Sequence, residues 1–207
     1  MANIKDTYKT VTKASEQTLY KDRNSKFFGF AFPVSSEEEV KQHLENLKKL
    51  HHQARHWCSA YQLGMLEQDY VFRANDDGEP NNSAGMPIYG QIQSFEVTNV
   101  LIVVVRYFGG TKLGVGGLIN AYRTGAQMAL ESSKIVIRTV NVDYAITFEY
   151  KHMNTVMRII KEKHLKVINQ TLELSCEIII SVRLKEADAI FEIFETLYDI
   201  DIKSLND

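Results

Sequence analysis

The stretch Val100-Leu-Ile-Val-Val-Val-Arg106-Tyr107-Phe108-Gly109-Gly110-Thr-Lys112-Leu-Gly114-Val115-Gly116-Gly117 decides how this chain is read. Val100–Val105 is a continuous apolar run rich in β-branched residues, as expected of a strand buried on both faces. From Val115 onward, Leu118, Ile119, Tyr122, Ala126 and Ala129 recur at helical spacing, with Asn120, Arg123, Thr124 and Gln127 on the opposite side. The order is strand, glycine loop, helix. The loop holds five of the chain's eleven glycines. A helix starting near Val115 would aim free N–H groups and the positive end of its dipole at whatever occupies the loop. Lys112 and Arg106 add two cations, which together meet the needs of an anion such as phosphate. No Gly-Lys-Ser/Thr closes a P-loop, and Gly114-Val-Gly116-Gly117 lacks the third glycine of the dinucleotide fingerprint. The competing reading is a tight turn whose glycines only let the helix pack on the sheet.

Upstream lies the acidic turn Asp76-Asp77-Gly78-Glu79-Pro80, followed by Ser83-Ala84-Gly85. Its carboxylates suit Mg²⁺ binding or acid–base work, or ion pairing with Arg106 or Arg73. A calcium loop fails, because Gly78 at the sixth position would put Arg73 at the first. Pairing is the favoured reading, since an arginine ending a buried strand needs a partner.

A third cluster is His51-His52-Gln53-Ala54-Arg55-His56-Trp57-Cys58-Ser59-Ala60-Tyr61. His52 and His56 stand four apart, but Gln53 occupies the place of the metalloprotease glutamate. Cys58 beside His56 suggests a thiol nucleophile, yet neighbours in a strand point to opposite faces, and a buried thiol is the plainer account. Arg55, His56, Trp57 and Tyr61 read as a mixed cationic and aromatic surface suited to bases and phosphates. Lys21, Arg23 and Lys26 form a weaker basic group, read as a solvated loop.

The remaining pattern gives the organisation. Strands are expected at Thr7–Thr12, Ser25–Val34, Trp57–Leu63 and Tyr70–Ala74. A helix carries Val40, Leu44, Leu47 and Leu50 after a capping box of Ser35 and Glu38. A short helix starts at Pro87. From about Arg138 the period changes to strand, helix, two strands, helix, strand over about seventy residues, the βαββαβ plan of ferredoxin-like domains. The expected division is therefore 1–137 and 138–207. Residues 1–137 carry 15 Lys and Arg against 14 Asp and Glu, so affinity for nucleic acid would have to come from a local patch. Two cysteines in 207 residues, Cys58 and Cys176, are too few and too far apart for a disulfide scaffold or a four-ligand zinc site. The N-terminus Met1-Ala-Asn-Ile-Lys-Asp-Thr-Tyr has no apolar leader segment, and no run is long enough to span a bilayer. The expectation is a cytoplasmic protein without membrane contact.

Ser25-Lys26-Phe27, the His52…His56-x-Cys58-x-Ala60-Tyr61 segment, Asp76–Pro80 with Ala84-Gly85-x-Pro87-Ile88, and Val103–Leu118 with Ala121-Tyr122 occur in the order found in the IMPACT family, also called the YigZ family. The resemblance covers roughly residues 15–130, and the C-terminal seventy residues match the small domain of bacterial members by pattern. It implies an α+β protein of two domains, the first ribosomal protein S5 domain 2-like and the second ferredoxin-like, similar to the last two domains of elongation factor G. Eukaryotic relatives regulate translation under amino-acid stress through an extra N-terminal domain that has no counterpart in this chain. The resemblance supplies no enzymatic reaction. It maps a binding groove onto Asp76–Pro80, Arg106–Gly110, Lys112, Gly114, Gly116 and Gly117, with Asn81-Asn82-Ser83 where many members have Ser-Gly-Thr.

The leading expectation is a non-catalytic RNA- or ribosome-binding regulator of translation, with no cofactor and no bound metal. Its binding residues are Arg55, His56, Tyr61, Asp76, Asp77, Glu79, Arg106, Tyr107, Gly109, Gly110, Lys112, Gly114, Gly116, Gly117 and Arg123. The rivals are a Mg²⁺-dependent enzyme acting on a phosphorylated small molecule or nucleotide, hence a phosphate-bearing small ligand, and a protein-interaction module using the second domain. The oligomeric state is left open.

Overall fold

The computed structural model describes residues 5–205. The first four residues of the stretch inspected for a leader lie outside the described residues. The fold is mixed α/β with three sheets, and it divides into two compact units. One is Tyr8–Arg138. The other takes the chain from Thr139 onward together with the described residues up to Thr7.

The larger unit is built on a five-stranded antiparallel sheet. Its strands are β2 (Thr18–Asp22), β3 (Ser25–Pro33), β4 (His56–Leu63), β5 (Val71–Asn75) and β6 (Val100–Tyr107), in the order β2-β3-β6-β4-β5. β6 is central, which explains why its sequence is apolar at consecutive positions rather than alternate ones. Val100, Ile102 and Val104 enter one core, and Leu101, Val103 and Val105 enter another on the opposite face. Helices α2 (Gly85–Ser94) and α3 (Gly114–Glu131) cover the first face through Ile88, Ile92, Leu118, Tyr122, Ala126 and Leu130. Helix α1 (Glu37–Leu50) covers the second through Val40 and Leu47, against Phe30 and Tyr61. Full burial of each large apolar side chain stabilises by about 1.5–3 kcal/mol. A separate two-stranded ribbon joins β1 (Thr7–Val11) to β7 (Ile135–Thr139).

Two local readings need correction. The capping residue of α1 is Ser36, not Ser35: its hydroxyl accepts from the Glu39 amide, while the Glu39 carboxylate accepts from the amide and hydroxyl of Ser35. The run with Lys21 is no loop but the edge strand β2, and only Arg23 and Asn24 form its turn, both at positive φ.

The smaller unit contains β8 (Asn141–Glu149), α4 (Met153–Glu162), β9 (Lys166–Leu172), β10 (Ser175–Arg183), α5 (Leu184–Glu195) and β11 (Ile200–Ser204). Its sheet is antiparallel in the order β11-β8-β10-β9. Alternate residues Tyr144, Ile146 and Phe148, and Cys176, Ile178, Ile180 and Val182, meet Val156, Ile160, Ile190 and Phe194 of the helices. Asp6 belongs here because Arg183 donates to its carboxylate at 2.5 and 3.0 Å, and the Val140 amide donates to its carbonyl.

Candidate functional site

Strand alternation puts Arg106 on the face of Val100, Ile102 and Val104, beneath α2 and α3. Its neighbours across the sheet are Phe27 on β3 and His56 on β4. The guanidinium sits 5.5 Å from the centre of the Phe27 ring and 5.6 Å from that of Phe108. Its Nη1 donates to Glu79 Oε1 at 2.5 Å, with side chains only 7% and 4% exposed. A buried pair of this kind needs every remaining lone pair and proton satisfied. Tyr122 of α3 meets part of that need by donating its hydroxyl to the same Glu79 oxygen at 2.7 Å. Arg106 Nε, by contrast, is buried with no hydrogen-bond partner among the described residues.

The acidic turn that delivers Glu79 is a scaffold. Asp76 accepts from the amides of Ala84 and Gly85 with one oxygen and from that of Asn82 with the other, which anchors the start of α2. Asp77 accepts from the Trp57 amide at 2.7 Å. Its carbonyl accepts from His56 Nδ1 at 2.8 Å, which fixes that tautomer and turns Nε2 toward Glu79, 3.9 Å away. Cys58 donates its thiol to the Asp76 carbonyl. Burial pushes the Cys58 thiol and the Tyr122 hydroxyl well above their ordinary values, so both stay protonated at neutral pH. Cys58 is a packing residue in a strand and not a thiolate nucleophile.

A cavity of about 390 Å³ opens over this pair. Glu79, Pro80 and Arg106 form one part of its wall, and Phe108, Lys112 and the first turn of α3 at Gly114 and Val115 form another. No side chain caps that first turn, and Gly114 takes a φ of +76°, in the region that favours glycine. Gly109 is held by close approach. Its amide donates to Ser25 Oγ, and a Cβ there would lie 2.1 Å from the carbonyl carbon of Asn24. The turn after β2 and the glycine loop are therefore locked together, and Arg23 Nη1 donates to the Lys112 carbonyl at 3.5 Å.

The structure brings His56, Glu79, Arg106, Lys112 and Gly114 to one place. It does not bring every expected residue there. Tyr61 and Tyr107 belong to the opposite face of the sheet. Tyr61 donates to Glu37 of α1, and the hydroxyl of Tyr107 lies 3.0 Å from His51 Nδ1. Trp57 packs in that second core as well, with Lys48 over its ring. Arg55 and Arg123 are exposed, as are Gly110 and Gly116, while Gly117 sits against Leu113. Tyr122 is the site residue that sequence reading passed over, while Phe108 lies within the Arg106–Gly110 stretch of the groove that the resemblance implied. The signal for Tyr122 was a hydroxyl on an otherwise apolar helix stripe, since a buried tyrosine usually finds a partner. Among the described residues no group of three or more His, Cys, Asp or Glu is placed to hold a metal ion, and no helix is long and apolar enough to cross a membrane.

The Impact N-terminal domain family model matches residues 23–130, more than half of the chain and all of the site just described. The chain belongs to the IMPACT family. The IMPACT family member YvyE of Bacillus subtilis is 40% identical over 131 residues, which span 63% of this chain and 59% of that protein. A crystal structure described as that of a hypothetical protein covers 99% of this chain and 100% of its own at 22% identity, with a TM-score of 0.73, so the two share a fold. The structure of Yih1, described as a two-domain translational regulator, is 27% identical and covers 64% of this chain and 49% of its own, with a TM-score of 0.40.

Proposed function

We propose that this IMPACT family member is a non-catalytic factor that binds RNA or the ribosome and regulates translation from the cytoplasm. The observation that carries the reading is Arg106. Its side chain is buried, and it lines the same cavity as Lys112 and the uncapped start of α3. An anion seated in that cavity would meet two cations and the free amides of the first helical turn. The translational setting comes from the family and from the role described for Yih1, not from the geometry of the site. The two units of the chain, expected at 1–137 and 138–207 and found as Tyr8–Arg138 and the described remainder, are proposed to be an S5 domain 2-like domain and a ferredoxin-like domain. The β11-β8-β10-β9 order on a βαββαβ chain supports the second assignment.

Asp76 accepts backbone amides with both carboxylate oxygens and Asp77 with one, which favours binding over a mechanism that uses them as base. Filter binding to ribosomes and to short single- and double-stranded RNA, with wild type and Arg106→Ala, tests the proposal. Affinity should fall steeply with salt, by about one log–log unit for each phosphate contacted. It should also drop in Arg106→Ala at temperatures where that variant is folded. A salt-insensitive complex, or one unchanged in the folded variant, would count against the proposal.

A further inference from the structure

The cavity is too apolar to be a phosphate site alone. Pro80, Phe108, Leu113 and Leu118 line it together with Lys112 and the start of α3 at Gly114 and Val115. Phe108, 47% exposed, and Val115, 54% exposed, both line the cavity, so two large apolar side chains are open to whatever occupies it. One side of its ring is near the Arg106 guanidinium, and that guanidinium is itself fixed by Glu79 and packed on Phe27. The Gly109–Ser25 hydrogen bond holds the chain immediately after Phe108. The ring is thus a preorganised platform rather than a loop side chain that must be ordered on binding.

Resting on the phosphate reading above, we infer that this cavity holds a single nucleotide of a single-stranded RNA. The base stacks on the free face of Phe108, and the 5′-phosphate meets Lys112 and the first-turn amides of α3. The size agrees. At about 390 Å³ the cavity lies at the small end of ligand pockets, ~300–1,000 Å³, and takes one nucleotide rather than a run. Stacking on an aromatic ring tolerates any base, so recognition here is of a nucleotide and not of a sequence. A duplex cannot present a base to this platform without unpairing it.

The test is calorimetric titration of the full chain with adenosine 5′-monophosphate, uridine 5′-monophosphate and ribose 5-phosphate. Wild type, Phe108→Ala, Phe108→Trp and Lys112→Ala are compared. Phe108 and Lys112 are exposed, so these variants should fold. Both nucleotides should bind about tenfold tighter than ribose 5-phosphate, the factor expected of one base on one ring. Phe108→Ala should remove that difference and leave ribose 5-phosphate unchanged, Phe108→Trp should keep it, and Lys112→Ala should weaken all three. Equal affinity for nucleotide and ribose 5-phosphate would overturn the base site and leave the phosphate reading standing. Nucleotide binding indifferent to Lys112→Ala would overturn the phosphate reading and with it the assigned pose. No binding by any of the three would overturn both.

Discussion

The two faces of the five-stranded sheet are made from alternate residues of the same strands, yet one gathers charge and the other gathers rings. Toward α2 and α3, β4 and β6 present His56, Cys58 and Arg106, joined by Glu79 and Tyr122. Toward α1 the very next residues Trp57 and Tyr107, with Tyr61 farther along β4, pack with Phe28, Phe30 and His51. Adjacent residues in a strand share a sequence neighbourhood but not an environment. The buried ion pair and the aromatic cluster are therefore separated here by a shift of one residue. If that separation is right, changes on the charged face alter binding and stability together, and changes on the aromatic face alter stability alone.

The largest expected effect is at Glu79. Glu79→Ala leaves Arg106 buried without its anion and Tyr122 without its acceptor, and should cost about 3–5 kcal/mol in chemical denaturation, as breaking a buried pair does. A loss below 1 kcal/mol would mean that the pair is solvated and the charged face is not a site of stored cost. Asp76→Ala comes next. It strips the acceptor from three amides at the start of α2 and should cost about 1–3 kcal/mol. Tyr61→Phe, on the other face, removes the hydroxyl that meets Glu37 and Arg73 and should cost about 1 kcal/mol. RNA affinity in that variant should match wild type, and a weakened complex would erase the distinction between faces.

The smallest effect is in pH. Burial among aromatic rings lowers the His51 pKa below its ordinary value of 6.5. The unfolded chain then binds the proton more readily than the folded one below about pH 6.5. Stability contributed by neutral His51 is present above that pH and is lost as pH falls through it toward the lowered value. His51→Gln should flatten the acid-side slope of the melting temperature between pH 7 and 5.5, and an unchanged slope would place the titration elsewhere.

Much of the fold was legible because its longest elements are strongly periodic. Val100–Val105 and the Leu118–Ala129 stripe announce a buried strand and the helix that covers it. The elements passed over lack that signal. β2 has one strand neighbour and a half-polar sequence, so Lys21 reads as loop. β7 is short, and its partner β1 lies more than a hundred residues away, so no local pattern marks either as a ribbon. The slip of the cap from Ser36 to Ser35 arises because both serines stand three residues before a glutamate, and only hydrogen bonds tell them apart. At the site, an acidic partner for Arg106 was foreseeable from the cost of a buried cation. Its identity as Glu79 was not, because that depends on how the Asp76 and Asp77 carboxylates are consumed by backbone. The mixed surface of Arg55, His56 and Tyr61 also came apart, since period-two alternation sends Tyr61 to the other face.

The most direct test of the account is the salt dependence of RNA binding by wild type and Lys112→Ala. Lys112 is exposed, so its loss should not disturb the Arg106–Glu79 core. The account predicts a weaker complex whose log–log salt slope is shallower by about one, with the melting temperature unchanged. Identical slopes and affinities for the two proteins would contradict it, and the cavity beside α3 would no longer be where this protein meets a phosphate.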